Sequence, residues 1–542
     1  MKQFHKFPGK IPRLASLCAV FLATTAGLRA FDTGAHLQGI HPGGMPPQPV
    51  ITSLTRTGQD LTMTWDGFNG PYRVEATTNL QSGQWELVGS PTYHQSNAFQ
   101  ARPAGMGVIR ISGPAPLFAG ATNCMSCHKS VHQDWRGTTH ATALESLKKI
   151  GMGNNASCLP CHTVGFGLST GFKDEATTPQ FAGVQCENCH GPAAEHAANP
   201  ADPLTRPRKE IASTLCGGCH SGVNHPTYEE WSQSGHVHVT GLTASYFLDP
   251  ATSVARMNSC GPCHSGAVRL ALINGRDLPS PAEAAEVAIN CVVCHEPHKS
   301  TVNGHRLRSP EYSTNFFSYN TSATFASQYN PDINMCAQCH NARGAKVSDT
   351  ARPPHHSPQY NILLGNIGVT NSTRPIQFPH WKIPNQCSHC HMQRRQVDHP
   401  TLENPVLTGH SAQVVSFDAC YECHDAPEET MNTVQGDIIA HIGIIKNLLD
   451  QWGATRSDPA LRAKYGPLAW EYTAPGPLSS PDGSLSGPTG VEQALVPQAI
   501  KDARFNLYLI ELDGSYGVHN SGYSYYLLYV AENKVRAELA RP

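Results

Sequence analysis

Between about Val50 and Ser112 apolar and polar positions alternate. Leu61, Met63 and Trp65 point to one face, as do Tyr72, Val74 and Ala76, and the turn-forming pair Asn69-Gly70 lies between the two runs. Trp85 with Leu87, and Ile109 with Ile111, add two short strands. The pattern predicts a small N-terminal β-sandwich over 48–115. After Asp425 the period changes. Val434, Ile438, Ile442, Ile445, Leu449 and Trp452 recur every three or four residues, behind an N-terminal signal Asp425-Ala-Pro-Glu428 and before a stop at Gly453. Further helices are expected over about 497–512 and 521–539, beyond a loop near 474–490, giving a C-terminal helical bundle over 425–542. Between these ends, 121–424 shows few long periodic segments and is rich in Gly, Pro, Asn and Ser.

That irregular middle carries the chemistry. The pentapeptide C-x-x-C-H occurs nine times and uses eighteen of the nineteen cysteines. The copies are Cys124/Cys127/His128, Cys158/Cys161/His162, Cys186/Cys189/His190, Cys216/Cys219/His220 and Cys260/Cys263/His264. The remainder are Cys291/Cys294/His295, Cys336/Cys339/His340, Cys387/Cys390/His391 and Cys420/Cys423/His424. This is the attachment signature of c-type haem: two thiols bind the macrocycle and the next histidine is the proximal iron ligand. Zinc ribbons require no histidine after each second cysteine, a thioredoxin-like pair occurs singly, and a disulfide framework would not hold one spacing nine times. The sequence therefore implies nine covalently attached haem c groups. From Cys124 to His424 there is one motif per roughly 33 residues. Such a chain buries too little of its own apolar surface to offset its conformational entropy. The expected fold class is a multihaem cytochrome c, mostly irregular and α, with a haem-packed core between the β-sandwich and the helical bundle.

The N-terminus fits that cofactor. Lys2, Lys6, Lys10 and Arg13 precede an apolar run from Leu14 to about Gly27, and small residues lead to a cut after Ala30. This reads as a signal peptide over 1–30, followed by a linker over 31–47, and implies a periplasmic or extracellular protein. Cys18 lies inside the run, after Leu17 rather than the small residue a lipid-attachment cysteine needs, and reads as discarded with the leader. No later segment is long enough for a membrane helix. The formal charge of −2 becomes more acidic once basic leader residues go and haem carboxyls arrive, so no basic stripe remains for a nucleic-acid partner.

Twenty histidines lie outside the nine motifs. His5, His36, His41 and His94 are remote from them, which leaves sixteen for at most nine distal positions. Trp135-Arg-Gly-Thr-Thr-His140 and Trp231-Ser-Gln-Ser-Gly-His236 repeat the pattern W-x4-H, in which a helix-like turn delivers an imidazole. His196 follows His190 closely, and His298 follows His295. His380, His399 and His410 sit in short loops, and His441 is on the apolar face of its helix, where core packing is an equal alternative. His132, His225, His238, His305, His355, His356 and His389 suit solvent-facing or propionate-bonding roles as well.

The stretch from Cys124 to His236 resembles the tetrahaem electron carrier of ammonia-oxidising bacteria, in CMSCHKSVHQDWRGTTHATA, CLPCHTVGFG, VQCENCHGPAAEH and LCGGCHSGVNHPTYEEWSQSGH. The resemblance implies closely stacked, bis-histidine, low-potential haems, with His140, His196 and His236 at the distal or near-haem positions. The later portion is similar to the group of pentahaem nitrite reductases and octahaem oxidoreductases, in CVVCHEPHK, the closing motifs and ARFNLYLIELDGSYGVHNSGY. That likeness implies a distal role for His519. The β region is similar in pattern to immunoglobulin or fibronectin type III sandwiches. Two departures matter. No C-x-x-C-K marks a lysine-ligated catalytic haem, and Tyr523, Tyr525, Tyr526 and Tyr529, near where a related enzyme crosslinks tyrosine to haem, have the spacing of helix packing.

Two functions follow. In the favoured one the protein carries electrons through bis-histidine haems in anaerobic or nitrogen and sulfur respiration, between redox partner proteins such as a quinol-linked donor and a terminal reductase. In the alternative, a multihaem oxidoreductase acts on nitrite, hydroxylamine or tetrathionate at one haem with an open distal site. The β-sandwich offers docking to a partner or surface, or a passive cap, and the C-terminal helices offer a homo-oligomer interface. If haem supplies the core, protein made without haem attachment will be unfolded or collapsed without order. Near-ultraviolet circular dichroism of the haem-free chain should show no fixed tertiary signal.

Overall fold

The computed structural model describes residues 117–313 apart from 208 and 210, then 329–371 and 379–542; before these it describes the strands and some neighbours within 50–112, and a two-residue strand pair within 23–28. The expected leader with Cys18, most of the 31–47 linker and the Asn69-Gly70 turn lie outside the described residues. The fold is that of a multihaem cytochrome, mostly helical and irregular with a small sheet region.

Six strands are described between 50 and 112: β1 Val50–Thr57, β2 Asp60–Asp66, β3 Arg73–Thr77, β4 Glu86–Leu87, β5 Ser96–Gln100 and β6 Val108–Ser112. They form two antiparallel three-stranded sheets, ordered β1-β2-β5 and β4-β3-β6. Strict alternation buries Met63 and Trp65 from the first sheet against Val74 and Ile111 from the second, with Tyr72 in the same cluster. Trp65 and Tyr72 meet edge to face at 5.5 Å. Alternation fails at the end of β3, where Thr77 rather than Ala76 is the buried residue. Outside the sheet, Trp85 is covered by the Arg110 guanidinium 4.1 Å from its ring centre.

Between 121 and 424 the described helices are short. Lys129–Arg136, Gly241–Leu248 and Gly266–Ile273 reach only eight residues, below what is stable without tertiary support. Apolar packing there is broken into small clusters, such as Leu144, Leu147, Leu159, Val164, Phe172 and Phe181 in one and Phe247, Met257, Val268 and Ala284 in another.

The C-terminal region packs differently. Helix α1 (Pro427–Thr455), α2 (Gln498–Asp513) and α3 (Ser521–Leu539) share one large apolar core. The periodic face of α1 is its buried face: Ile438, Ile442, Ile445, Leu449 and Trp452 are at most 5% exposed. Two boundary expectations change. Ala426, not Asp425, occupies the cap position, and α1 runs past Gly453. This glycine is selected by packing: a Cβ there would lie 2.5 Å from the Pro467 carbonyl oxygen. The fully buried Arg504 of α2 donates to the Trp470 and Glu471 carbonyls at 2.7 Å and to Gln493 Oε1 at 2.9 Å, so its charge is solvated by oriented dipoles. No described helix is long and apolar enough to cross a membrane.

By compactness the chain forms two units, 1–221 with 298–300, and 222–297 with 301–542. The division falls within the C-x-x-C-H region. Each unit carries its own set of motifs, four in the first and five in the second.

Leu449→Ala should destabilise the C-terminal core by about 2–5 kcal/mol, the usual cost of a buried leucine cavity. The urea midpoint followed by tryptophan fluorescence checks this.

Candidate metal centres

In seven of the nine motifs the histidine faces a second imidazole. Ring centres are 6.1 Å apart for His220 with His140, 5.9 Å for His190 with His298 and 6.2 Å for His340 with His236. They are 6.2 Å for His295 with His410, 6.1 Å for His424 with His380 and 6.2 Å for His391 with His519. His264 faces both His355 at 6.0 Å and His356 at 6.2 Å. Two imidazoles bound on opposite sides of one first-row metal ion, at about 2.0–2.1 Å per bond, have ring centres about 6 Å apart once each ring's half-width is added. All these pairs lie within a single unit.

The local structure explains how each distal ring arrives. The W-x4-H repeat is an anchoring device. Trp135 donates its indole N–H to the Val184 carbonyl at 3.0 Å, and Trp231 donates to the Ile289 carbonyl at 3.1 Å. Each acceptor stands two residues before the first cysteine of a motif, Cys186 or Cys291. The buried hydroxyls of Thr138 and Ser234 donate back to the tryptophan carbonyls, both at 2.7 Å. His140 and His236 are thus held on tight turns fastened to a neighbouring motif. His410 is delivered by a loop clasped by the Glu230 carboxylate, which accepts from the backbone N–H of His410 at 2.7 Å and of Thr408 at 2.9 Å. Gly409 has φ +79°, and a Cβ there would lie 2.3 Å from the Met392 carbonyl carbon, so only glycine fits. His519 lies in the turn between α2 and α3.

Hydrogen bonds also select the ring nitrogen. Nδ1 is bonded to the Ala143 carbonyl in His162 at 2.9 Å, to the His305 carbonyl in His295 at 2.9 Å and to the Ala412 carbonyl in His391 at 3.2 Å. On the distal side it is bonded to the Val518 carbonyl in His380 at 3.0 Å and to the Thr408 carbonyl in His410 at 3.1 Å. In His519 it meets Asp513 Oδ1 at 2.7 Å. An Nδ1–H donor leaves Nε2 with its lone pair free for a metal. Burial pushes His295 and His340 down to about 4, so they are neutral imidazoles, the form that binds metal. At His519 burial also opposes the charge, but the buried Asp513 carboxylate outweighs it and the shift is upward.

The eighteen described cysteines form no disulfide, which leaves their thiols available for covalent attachment. Thiols of different motifs approach one another: Cys124 is in hydrogen-bonding reach of Cys186, and Cys336 of Cys387. Cys263 Sγ lies 4.0 Å from the Gln338 carbonyl, and Cys339 Sγ lies 3.8 Å from that of Pro262. Cys161 Sγ is 3.9 Å from the Gly218 carbonyl. Amid Cys263, Cys294 and Cys339 stands Arg269, only 3% exposed. It donates to Gln338 Oε1, while its Nη1 has no partner among the described residues. A buried guanidinium without an anion is costly, and the carboxylates of a bound macrocycle would satisfy it.

The expectation of a haem-packed core around every attachment thiol needs correcting at four cysteines. Cys127 and Cys423 are exposed, and Cys189 and Cys219 are only half-buried. By contrast, Cys158, Cys260 and Cys387 pack against the small apolar clusters. The reason is local. Each of the four is the second cysteine of its motif and ends a single tight turn. The backbone N–H of Cys127 donates to the Cys124 carbonyl at 3.3 Å, and those of Cys219 and Cys423 donate to Cys216 and Cys420 at 3.1 Å. Cys189 stands near the end of the five-residue helix Cys186–His190. One turn has too little side-chain surface to cover its own thiol, so the face of an attached macrocycle, not protein, would cover these four.

Other expected histidines are not brought to a motif histidine. His441 bonds Glu532 at 2.7 Å, on the partly exposed side of α1. His399 is exposed. His196 is partly buried, with its Nδ1 unpartnered among the described residues. His128 and His162 have no imidazole at the paired spacing among the described residues. The sequence reading ranked His355 and His356 too low; the available signal was their adjacency after Pro353-Pro354, which stiffens the approach. The C-terminal tyrosines have structural partners: Tyr523 donates to the Ile367 carbonyl at 2.7 Å, Tyr525 to Asp437 at 3.1 Å, and Tyr526 accepts from the Asn371 N–H at 2.9 Å.

Known proteins agree with this chemistry. Residues 123–191 match the family "Cytochrome c554 and c-prime". Cytochrome c-554 of Nitrosomonas europaea is 33% identical over 141 residues, covering 20% of this chain and 60% of that protein. Multiheme cytochrome MtrA of Shewanella baltica is 28% identical over 307 residues, covering 47% of this chain and 83% of that protein. Among solved structures, the outer cell wall cytochrome OcwA is similar at a TM-score of 0.48 and 18% identity, over 77% of this chain and 99% of that one. The chain is a multihaem c-type cytochrome, and its cofactor is haem c. Residues 123–191 are its cytochrome c554-like segment.

Trp231→Phe removes one buried hydrogen bond and should cost about 1 kcal/mol of stability. It should also loosen His236, giving faster carbon monoxide uptake by the reduced protein than in the parent, measured by flow spectrophotometry.

Proposed function

We propose that this protein is a secreted electron carrier with nine haem c groups, each attached through one C-x-x-C-H motif. The nine motif histidines are the proximal ligands. His140, His298, His236, His410, His380 and His519 are the distal ligands of the haems on His220, His190, His340, His295, His424 and His391, and the fifth motif draws its distal ligand from His355 and His356. The observation that carries this reading is the recurrence of opposed imidazoles at 5.9–6.2 Å. Iron held by two protein imidazoles binds no substrate and changes only its charge, which suits transfer of single electrons.

The chain's own residues supply spacing and tuning. Thioether bonds form at the macrocycle edge, so cysteines of two motifs in contact place two haem edges side by side. Such contacts link the first motif to the third and the second to the fourth in one unit. In the other they link the fifth to the seventh and the seventh to the eighth. The exposed Cys127 and Cys423 place an edge of the first and the ninth haem at the surface of their units, where electrons can enter or leave. Asp513 behind His519 makes that imidazole a stronger donor and favours the ferric state of its iron. Arg269, a buried cation, favours the ferrous state of haems near it. The leader over 1–30, export to the periplasm or beyond, the N-terminal β-sandwich and the C-terminal helical bundle belong to the same reading, which has redox proteins as partners.

The test combines a haem count with spin state. Pyridine haemochrome and intact mass should give nine haems per mature chain. Low-temperature electron paramagnetic resonance of ferric protein should show low-spin signals for the seven paired sites. A high-spin signal for more than two haems would sink the assignment. Asp513→Asn should raise the potential of one haem by the equivalent of about 1 kcal/mol, the net worth of one hydrogen bond, seen by spectroelectrochemical titration.

A further inference from the structure

Six of the paired motif histidines face one imidazole. His264 faces two. The rings of His355 and His356 are stacked on each other at 4.1 Å with a 28° tilt. Their centres lie 6.0 and 6.2 Å from that of His264, and ligand-capable atoms of all three histidines lie within 4.8 Å of one another. One sixth coordination position cannot hold both.

The two rings are held differently. His355 Nδ1 is 2.9 Å from Ser357 Oγ, and that hydroxyl donates onward to the Asn341 carbonyl at 2.7 Å. The serine proton is committed, so the serine oxygen accepts from Nδ1–H and His355 presents Nε2. Ser357 and Asn341 are buried, which makes this a fixed support. His356 is exposed. Its carbonyl accepts from Gln359 Nε2 at 3.3 Å, which restrains its backbone and leaves the ring to turn.

We infer that the haem on Cys260, Cys263 and His264 has two interchangeable distal ligands, His355 as the resident one and His356 as its replacement. The inference rests on the bis-histidine reading above. In the exchange one iron–nitrogen bond breaks and another forms, between neutral imidazoles. No electron and no proton is gained or lost. The two forms differ in ring orientation and in the hydrogen bond behind the ligand, both of which set the potential of a haem. The site can thus change its potential while remaining six-coordinate and closed to small molecules.

The experiment uses full-length holoprotein and electron paramagnetic resonance of the ferric state, with haem content checked in each variant. His355→Ala should keep the wild-type number of low-spin haems, with altered g values for one. His355→Ala/His356→Ala should gain one high-spin haem per chain that returns to low spin on adding imidazole. Ser357→Ala, which only loosens the resident ligand, should increase the His356-bound signal at the expense of the His355-bound one, and it tests the exchange even if the histidine variants fold poorly. If His355→Ala alone yields the high-spin haem, or Ser357→Ala leaves the spectrum unchanged, His356 is no replacement and the inference falls while bis-histidine ligation stands. If the double variant gains no high-spin haem at full haem content, the ligation reading of this site falls as well.

Discussion

The molecule depends on the opposition of two imidazoles across a gap that fits one metal ion. Residues 121–424 have helices of at most about two turns and scattered small apolar clusters. Such a polypeptide cannot repay its ordering entropy from its own apolar burial. In the proposed holoprotein, thioether and iron–nitrogen bonds replace the missing core: each haem ties a motif to a histidine elsewhere in the chain. His220 and His140 are eighty residues apart, and His391 and His519 more than a hundred. These are long-range crosslinks, and the backbone between them needs only to be the right length and to satisfy its own hydrogen bonds.

Rigidity therefore comes from outside the pairs. In the second unit the C-terminal helices provide it. Their shared core is the one extended apolar core among the described residues, and the turn between α2 and α3 presents His519, backed by Asp513, and also the Val518 carbonyl that orients His380. One well-packed turn thus positions two distal rings. Where no such core is at hand, single hydrogen bonds do the same job: the indoles of Trp135 and Trp231 and the carboxylate of Glu230 each fasten a ligand loop to a distant strand of backbone. A hydrogen bond there contributes only about 1 kcal/mol to stability, but it removes the freedom that would blur a ligand's position.

Much of this was legible in the sequence. Nine repeats of C-x-x-C-H announce their chemistry because attachment is local: both thiols and the proximal histidine must lie within five residues to meet one macrocycle. The W-x4-H turns are local as well, and the α1 face from Ile438 to Trp452 follows from a period that any buried helix must keep. Gly453 shows the limit of local reading. It resembles a helix stop, but it is required by a carbonyl that reaches it from Pro467, fourteen residues away. Burial of the thiols shows the same limit. Identical motifs leave Cys127 and Cys423 exposed and pack Cys158 and Cys260 into apolar clusters, because the covering side chains come from other segments.

The sequence by itself determined the cofactor, its attachment points and the class of protein, because each is written in contiguous residues whose spacing is set by covalent geometry. Only the tertiary structure decided which of twenty further histidines oppose which motif. Distal partners come from any sequence distance, and composition does not distinguish His410, clasped by Glu230, from His399, exposed on a loop, or His441, turned toward Glu532. It also decided that His264 meets two rings rather than one, since that depends on how the turn after Pro354 packs against the buried Ser357 and Asn341.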